Sequence, residues 1–208
     1  MDIFEELKKY NVSRETYEKL QKFVALLTEW NEKMNLVSKN SLAEVWIRHI
    51  LDSAQLISYI PMNTKHIVDI GSGSGFPGVV LAILLQEKNP QASVTLVESI
   101  TKKAVYLNDV KQKLNLNSVR VVNDRVENAV FKNVDLITAR AVAAMDILCG
   151  YAKKIGNKNT EMLLLKGKSF GDENEAARKH WQYDADIFEN KYSNDGVVVK
   201  VRNIRIKK

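Results

Sequence analysis

The sequence predicts an α/β protein. A helical region covers residues 1–62, and residues 63–208 form a seven-stranded, mostly parallel sheet with helices on both faces and its last strand antiparallel. Three observations predict it. No strand-like run occurs before Lys65. From His66 onward short β-rich runs alternate with helical stretches, the pattern of strand–helix–strand units. Near the end two β-rich runs are joined through SNDG (193–196), a hairpin signal that makes a late strand antiparallel.

The elements follow in order. Leu20, Phe23, Val24, Leu27 and Met34 recur at helical spacing behind Ser13, a suitable N-cap. A second helix is expected to start at Ser41, where Ser41 and Glu44 form a capping-box pattern. It would bury Trp46, Ile50, Ala54 and Ile57 and stop before Pro61. HIVDI (66–70) is the first strand, followed by a helix near 77–87 with Pro77 in its first turn. SVTLVES (93–99) precedes a helix near 101–115. SVRVV (118–122) and DLITA (135–139) come next, then a helix near 141–154 and MLLLKG (162–167). YDADIFE (183–189) and GVVVKVRNIRI (196–206) complete the sheet.

Composition bounds the function. At 208 residues and 45% hydrophobic content the chain can bury a sizeable core. A net charge of +6 leans toward anionic partners without fixing one. The charge concentrates after Asp195, in Lys200, Arg202, Arg205, Lys207 and Lys208, with no acid among them. The lone cysteine, Cys149, excludes an internal disulfide and fits a reducing compartment. MDIFEELKKY has no apolar core like that of a signal peptide, and VVLAILL is too short to span a bilayer. These features lead us to expect a cytoplasmic monomer with no membrane association. No metal site is expected.

The stretch DIGSGSGFPG (69–78) holds Gly71, Gly73, Gly75 and Gly78, four of the nine glycines. It lies between the first strand and its helix, where ligands of such folds bind. Three readings compete. A tight turn with no ligand is the plainest, but three glycines in five residues weaken a fold that has no ligand to gain. A dinucleotide fingerprint needs a third glycine at position 76, where Phe76 stands. An S-adenosylmethionine site takes an acidic-x-G-x-G-x-G run, which Asp69, Gly71, Gly73 and Gly75 match, with Ser72 between the first two glycines. Phe76 would then wall the methionine part. Glu98, at the end of the second strand, can accept hydrogen bonds from two ribose hydroxyls with either cofactor. At the end of the third strand Asp124, Val126 and Glu127 are placed to face an adenine.

At these residues the chain resembles the bacterial ribosomal RNA small subunit methyltransferase G family, also called glucose-inhibited division protein B. The matching pieces are WNEKMNL (30–36), RHILDS (48–53), DIGSGSGFPG (69–78), ES with KK (98–103), RVE (125–127), RAVA (140–143) and LKG (165–167). The resemblance implies the Rossmann-like fold of class I S-adenosylmethionine-dependent methyltransferases. It also implies methyl transfer to N7 of one guanine of 16S rRNA, with 16S rRNA or the small ribosomal subunit as partner. Carried over to this sequence, it places Gly71, Phe76, Val126, Glu127 and Arg140 at the cofactor.

The residues limit the chemistry without the family. Adenine N6 methylation of the common type uses a Pro-Pro pair after the fourth strand, and Arg140-Ala141-Val142 occupies that place. Cytosine C5 methylation needs a nucleophilic cysteine at the site, whereas Cys149 is expected inside a helix. Guanine N7 already has a lone pair and needs no base to remove a proton. Catalysis can then be largely positioning, which supplies about 7–11 kcal/mol. Arg140 and Arg125 are expected to hold phosphates, the O6 edge or the cofactor carboxylate; the plainer reading of Arg140 is an ion pair. Asn35, Arg48, His49 and Asp52 are site candidates from the helical region, although Arg48 and Asp52, four apart, could simply pair. Lys166, Lys168, Lys102 and Lys103 are candidate RNA contacts, against a reading as solvated loop residues. The other functions compatible with these residues are methyl transfer to a small molecule or protein, nicotinamide-dependent oxidation, and non-catalytic cofactor or RNA binding.

Overall fold

α1 (Ile3–Lys8) and α2 (Arg14–Lys33) begin the chain in the computed structural model, which describes residues 2–207; Lys208 of the basic tail lies outside them. Ser13 caps α2 by accepting the Thr16 N–H. Leu20, Phe23 and Leu27 form the buried stripe of α2.

The next helix departs from the sequence reading. α3 (Lys39–Ala43) is capped by Ser38, whose hydroxyl accepts the Ser41 N–H. Ser41 is thereby a helical residue, and its own hydroxyl bonds His49 Nε2 at 2.5 Å. Glu44 is left exposed and pairs with Arg48 at 3.2 Å, so neither the capping box nor an Arg48–Asp52 pair forms. The chain continues as a π-helical turn (Trp46–Leu51), a single turn α4 (Asp52–Ala54) and a 3₁₀ turn (Gln55–Tyr59). The wider π turn rotates the following residues, so Ile50, Leu51, Ala54 and Leu56 are buried while Trp46 and Ile57 are only half-buried.

The seven strands are β1 (His66–Ile70), β2 (Ser93–Val97), β3 (Val119–Val122), β4 (Leu136–Arg140), β5 (Glu161–Lys166), β6 (Trp181–Glu189) and β7 (Val197–Ile206). Their order is β3-β2-β1-β4-β5-β7-β6. The first five run parallel, and β7 is antiparallel to both β5 and β6. Alternate residues serve opposite faces. On one face Ile67, Leu163 and Leu165 share a core with α1, α2, α5 (Gly78–Lys88) and α6 (Thr101–Lys113). On the other Val68, Ile70, Met162 and Leu164 pack against α7 (Met145–Ile155) and α8 (Phe170–Ala177). Residues 78–85 of α5 are buried all round, because the helix is enclosed between the sheet and α2. The N-terminal helices therefore share one core with the sheet.

The hairpin reverses the basic tail. Val197 lies opposite Lys166, at the carboxyl end of β5, and Val201 lies opposite Met162, near its start. Arg202, Arg205 and Lys207 consequently stand at the end of the sheet away from the glycine loop. Lys200 pairs with Glu161 at 3.0 Å and Arg202 with Asp186 at 2.7 Å. The acids missing from the tail are supplied by neighbouring strands. Among the described residues no helix is long and apolar enough to cross a membrane.

Candidate functional site

The strand order reverses between β1 and β4, which opens a crevice at their carboxyl ends. The glycine loop follows β1, and Arg140 ends β4. Gly71, Gly73 and Gly75 all take positive φ, at +65°, +51° and +95°. At Gly71 a Cβ would also stand 2.7 Å from Val142 Cγ2. Val142 reaches that position because Ala141 adopts φ +54°, a left-handed conformation costly for a non-glycine residue.

Glu98 fixes the loop from below. Its Oε2 accepts the Gly73 N–H at 2.9 Å and its Oε1 accepts the Ile100 N–H at 2.7 Å, while the side chain is almost fully buried. Each oxygen keeps a second lone pair. Ser72 donates its hydroxyl to the Asp69 carbonyl and lines the crevice. Asp69 itself lies beneath the loop, fully buried and lining no cavity. Its Oδ1 accepts from Thr138 at 2.7 Å, and burial lifts its carboxyl to about 6. Its Oδ2 faces the start of α5, where a Cβ on Gly78 would come within 2.5 Å of it. Pro77 takes the N-cap position, so α5 starts one residue later than expected. Gly75 turns toward Phe23 and Val79 in the core. Asp69, Gly75 and Gly78 thus pack beneath the loop, and Gly71, Ser72, Gly73 and Phe76 line the cavity above it.

Three contiguous cavities line the crevice. One of about 220 Å³ is bounded by Ile70, Gly71, Val97, Val126 and Val142, with Asp124, Arg125 and Glu127 at its rim. Asp124 Oδ1 accepts the Arg125 N–H, and Glu127 Oε1 accepts the Tyr151 hydroxyl. A second, of about 440 Å³, joins Gly71–Ser74 and Phe76 to Arg48, His49, Asp52 and Arg140, with Lys103 at its edge. Leu36 lines it too, and the neighbouring Asn35 is exposed outside it. A third, of about 410 Å³, shares Asp52, Arg140, Ala141 and Ser193 with the second and continues to Lys166 and Glu173.

Arg140 organises the junction. Its guanidinium donates to the Arg48 carbonyl at 2.9 Å and to Asp52 Oδ2 at 3.3 Å, and lies 5.1 Å from the centre of the Phe76 ring. Burial pushes the Asp52 carboxyl up, against hydrogen bonds from Asn190, Arg140 and Gln55. Asn190 donates to Asp52 Oδ1 at 2.6 Å and accepts from Gln55 at 2.8 Å. His49 stacks on Phe76 at 4.7 Å. Burial, with Arg140 and Arg48 nearby, drops its pKa to about 3, so His49 is neutral at pH 7. Lys166 is not free to reach solvent: it donates to the Ala143 carbonyl at 2.9 Å and pairs with Glu173 at 2.5 Å.

Ser41, Glu173, Asn190 and Ser193 join the site without having been predicted from the sequence. Asn190 stands three residues ahead of the SNDG turn, and that position was its one visible sign. The others carry no local signal.

The sequence profile of a family described as rRNA small subunit methyltransferase G matches residues 16–195. A protein named ribosomal RNA small subunit methyltransferase G from Allorhizobium ampelinum is 41% identical, the match covering 97% of this chain and 96% of that one. One of the same name from Ruegeria sp. is 38% identical, covering 93% and 94%. Among solved structures, a SAM-dependent methyltransferase from Aquifex aeolicus aligns with a TM-score of 0.57 at 14% identity, over 72% of this chain and 88% of that one. An O-methyltransferase from Bacillus cereus in complex with SAH gives 0.57 at 14%, over 87% and 90%. The two structures share the class I methyltransferase fold with this chain.

Proposed function

Because the chain belongs to the rRNA small subunit methyltransferase G family, we propose that it transfers a methyl group from S-adenosylmethionine to N7 of a guanine in 16S rRNA. The observation that carries the reading is the junction itself: a glycine cradle and a charged cavity meet at Gly71 and Arg140. The cradle fits the cofactor. A Cβ at Gly71 would strike Val142, leaving backbone as the only surface there, and Glu98 keeps lone pairs for two ribose hydroxyls. Ile70, Val97 and Val126 offer apolar walls to the adenine, with Asp124 and Glu127 at the rim. Phe76, His49 and Arg140 wall the methionine end.

When bound, the cofactor supplies an electrophilic methyl on a sulfonium. The N7 lone pair would accept that methyl as the carbon–sulfur bond breaks with its electrons on sulfur, and the purine would become cationic. No side chain has to remove a proton. The chain's task is to align N7 with the methyl and to tolerate the new positive charge. Asp52, held against Arg140, keeps that guanidinium from acting as an unbalanced cation beside the base. His49 is neutral and adds none.

The substrate form is the small subunit, and the enzyme acts as a cytoplasmic monomer in this reading. Arg125, Lys103 and Lys168 are its candidate phosphate contacts, and RNA binding should weaken with salt. The test is incubation with methyl-labelled S-adenosylmethionine and small subunits from cells lacking the gene, with naked 16S rRNA and tRNA as controls. Label in 16S rRNA that is released by cleavage at 7-methylguanine supports donor, substrate and atom together. Intact cofactor binding with no RNA labelled would refute the RNA reading.

A further inference from the structure

The third cavity has no occupant in the account above, and its far wall is chemically specific. Lys166 and Glu173 form an ion pair there, with side chains only 9% and 21% exposed. The bonding capacity of each is nearly spent. An ammonium has three donors, and Lys166 uses two, on the Ala143 carbonyl and on Glu173 Oε2. A carboxylate has about four lone-pair positions. Glu173 Oε2 takes Lys166 and the Met145 N–H, and Oε1 takes the Ser169 hydroxyl. One donor and one acceptor remain on two paired side chains that both line a cavity within the size range of small-ligand sites.

We propose that Lys166 and Glu173 are the specificity-determining wall of a purine pocket, Lys166 donating to O6 of guanine and Glu173 accepting its N1–H. The inference rests on the guanine reading above and adds the residues that select the base. Guanine presents an acceptor and then a donor at these adjacent positions, whereas adenine presents the reverse order. Uracil shares the guanine order but has no N7 to methylate. The pair is electrically neutral, so it can read the base edge without opposing the positive charge that grows on the purine. O6 neighbours N7, and the pocket continues past Arg140 into the cradle-side cavity, where the methyl donor would lie.

The experiment uses reconstituted small subunits whose 16S rRNA carries guanine, 2-aminopurine or 1-methylguanine at the methylated position. 2-Aminopurine keeps N7 but lacks O6 and offers an acceptor at N1, facing the Glu173 carboxylate. For the wild type we expect kcat/KM to fall about 10- to 100-fold on 2-aminopurine, the range one paired base contact supplies. Glu173→Gln replaces an acceptor with a group that can also donate. Its guanine reaction should fall while the guanine/2-aminopurine ratio approaches one, with cofactor affinity by calorimetry unchanged. An equal loss on both bases, leaving the ratio intact, would show that the pair merely holds the 143–145 segment and would overturn the proposal. Should the variant not fold, 1-methylguanine on the wild type decides: at least about a tenfold loss is expected from blocking N1–H, and none would overturn the pocket. Failure to label even unmodified subunits would overturn the RNA reading itself.

Discussion

The two halves of the crevice are built from different materials. At the ends of β1 and β2 the crevice is floored by backbone: positive-φ glycines held by Glu98, with side chains such as Asp69 turned inward to support them. At the ends of β4 and β5 the surface is paired charge: Arg140 with Asp52, and Lys166 with Glu173. The first half admits a ligand by leaving side chains out. The second holds its shape only while both members of each pair are present. Damage should therefore separate. Changes to the glycine half should cost binding more than stability, and changes to the charged half should cost stability and activity together.

The largest expected effect tests the charged half. Arg140→Met leaves the Asp52 carboxylate buried without its counter-ion and should lower unfolding free energy by about 3–5 kcal/mol in urea titration. Adding Asp52→Asn should recover at least about 1 kcal/mol of that, since the two residues are directly coupled. Unchanged stability in the single variant would break the comparison.

Gly73→Asp tests the other half. An added Cβ meets nothing nearer than Gly71 O at 3.6 Å, and the cost to the fold is the strain of a side chain at φ +51°. Its carboxylate would face Glu98 and the ligand. Cofactor affinity should fall at least about 100-fold, or about 2.7 kcal/mol, more than the about 1–2 kcal/mol of stability that left-handed strain costs. Normal affinity would refute the loop as the binding surface.

Asn190→Ala removes the donor to Asp52 and the acceptor for Gln55. A loss of about 1–3 kcal/mol is expected, together with a drop in methyl transfer larger than any change in cofactor binding.

The effect on His49 is absent at neutral pH and grows only in acid. Its folded pKa of about 3 lies below the ordinary 6.5, so between these values the unfolded chain binds the proton and the native protein does not. Stability is then lost as pH falls below about 6.5, by up to about 1.4 kcal/mol per pH unit from this group. Asp69 acts in the opposite sense: its raised pKa makes stability fall as pH rises from about 4 to about 6. Comparing wild type with His49→Gln between pH 7 and 4 isolates the histidine, and the variant should resist acid better. Parallel curves would show that His49 takes up its proton in the folded state.

The sequence discloses the glycine half because its parts are local. The run Asp69–Gly78 and the strand end at Glu98 lie within thirty residues, and glycine spacing is itself a record of backbone conformation. The succession of strands along the chain and the reversed β7 were legible for the same reason, from short periodic runs and one turn signal. The charged half was half-visible. Arg48, His49, Asp52, Arg140 and Lys166 could be named, but not their partners. Arg140 pairs across 88 residues and Asn190 across 138, and no spacing rule reaches that far. The Ser41 cap failed because Ser38 offered the same chemistry one turn earlier. The π turn has no compositional mark at all.

The long reach of Asn190 has a consequence for the order in which the protein is made. Tyr10 and Tyr192 share a hydrogen bond across 182 residues, and Gln55 meets Asn190 across 135. A nascent chain that has emerged as far as β5 contains the glycine turn and Glu98, but Asp52 still lacks the residue that holds it. Chains are synthesised from the N-terminus at about 5–20 residues per second, and contacts this distant form late. The hydrogen bonds that complete the charged side of the crevice can therefore form only after residue 190 has been made, later than those of the glycine side.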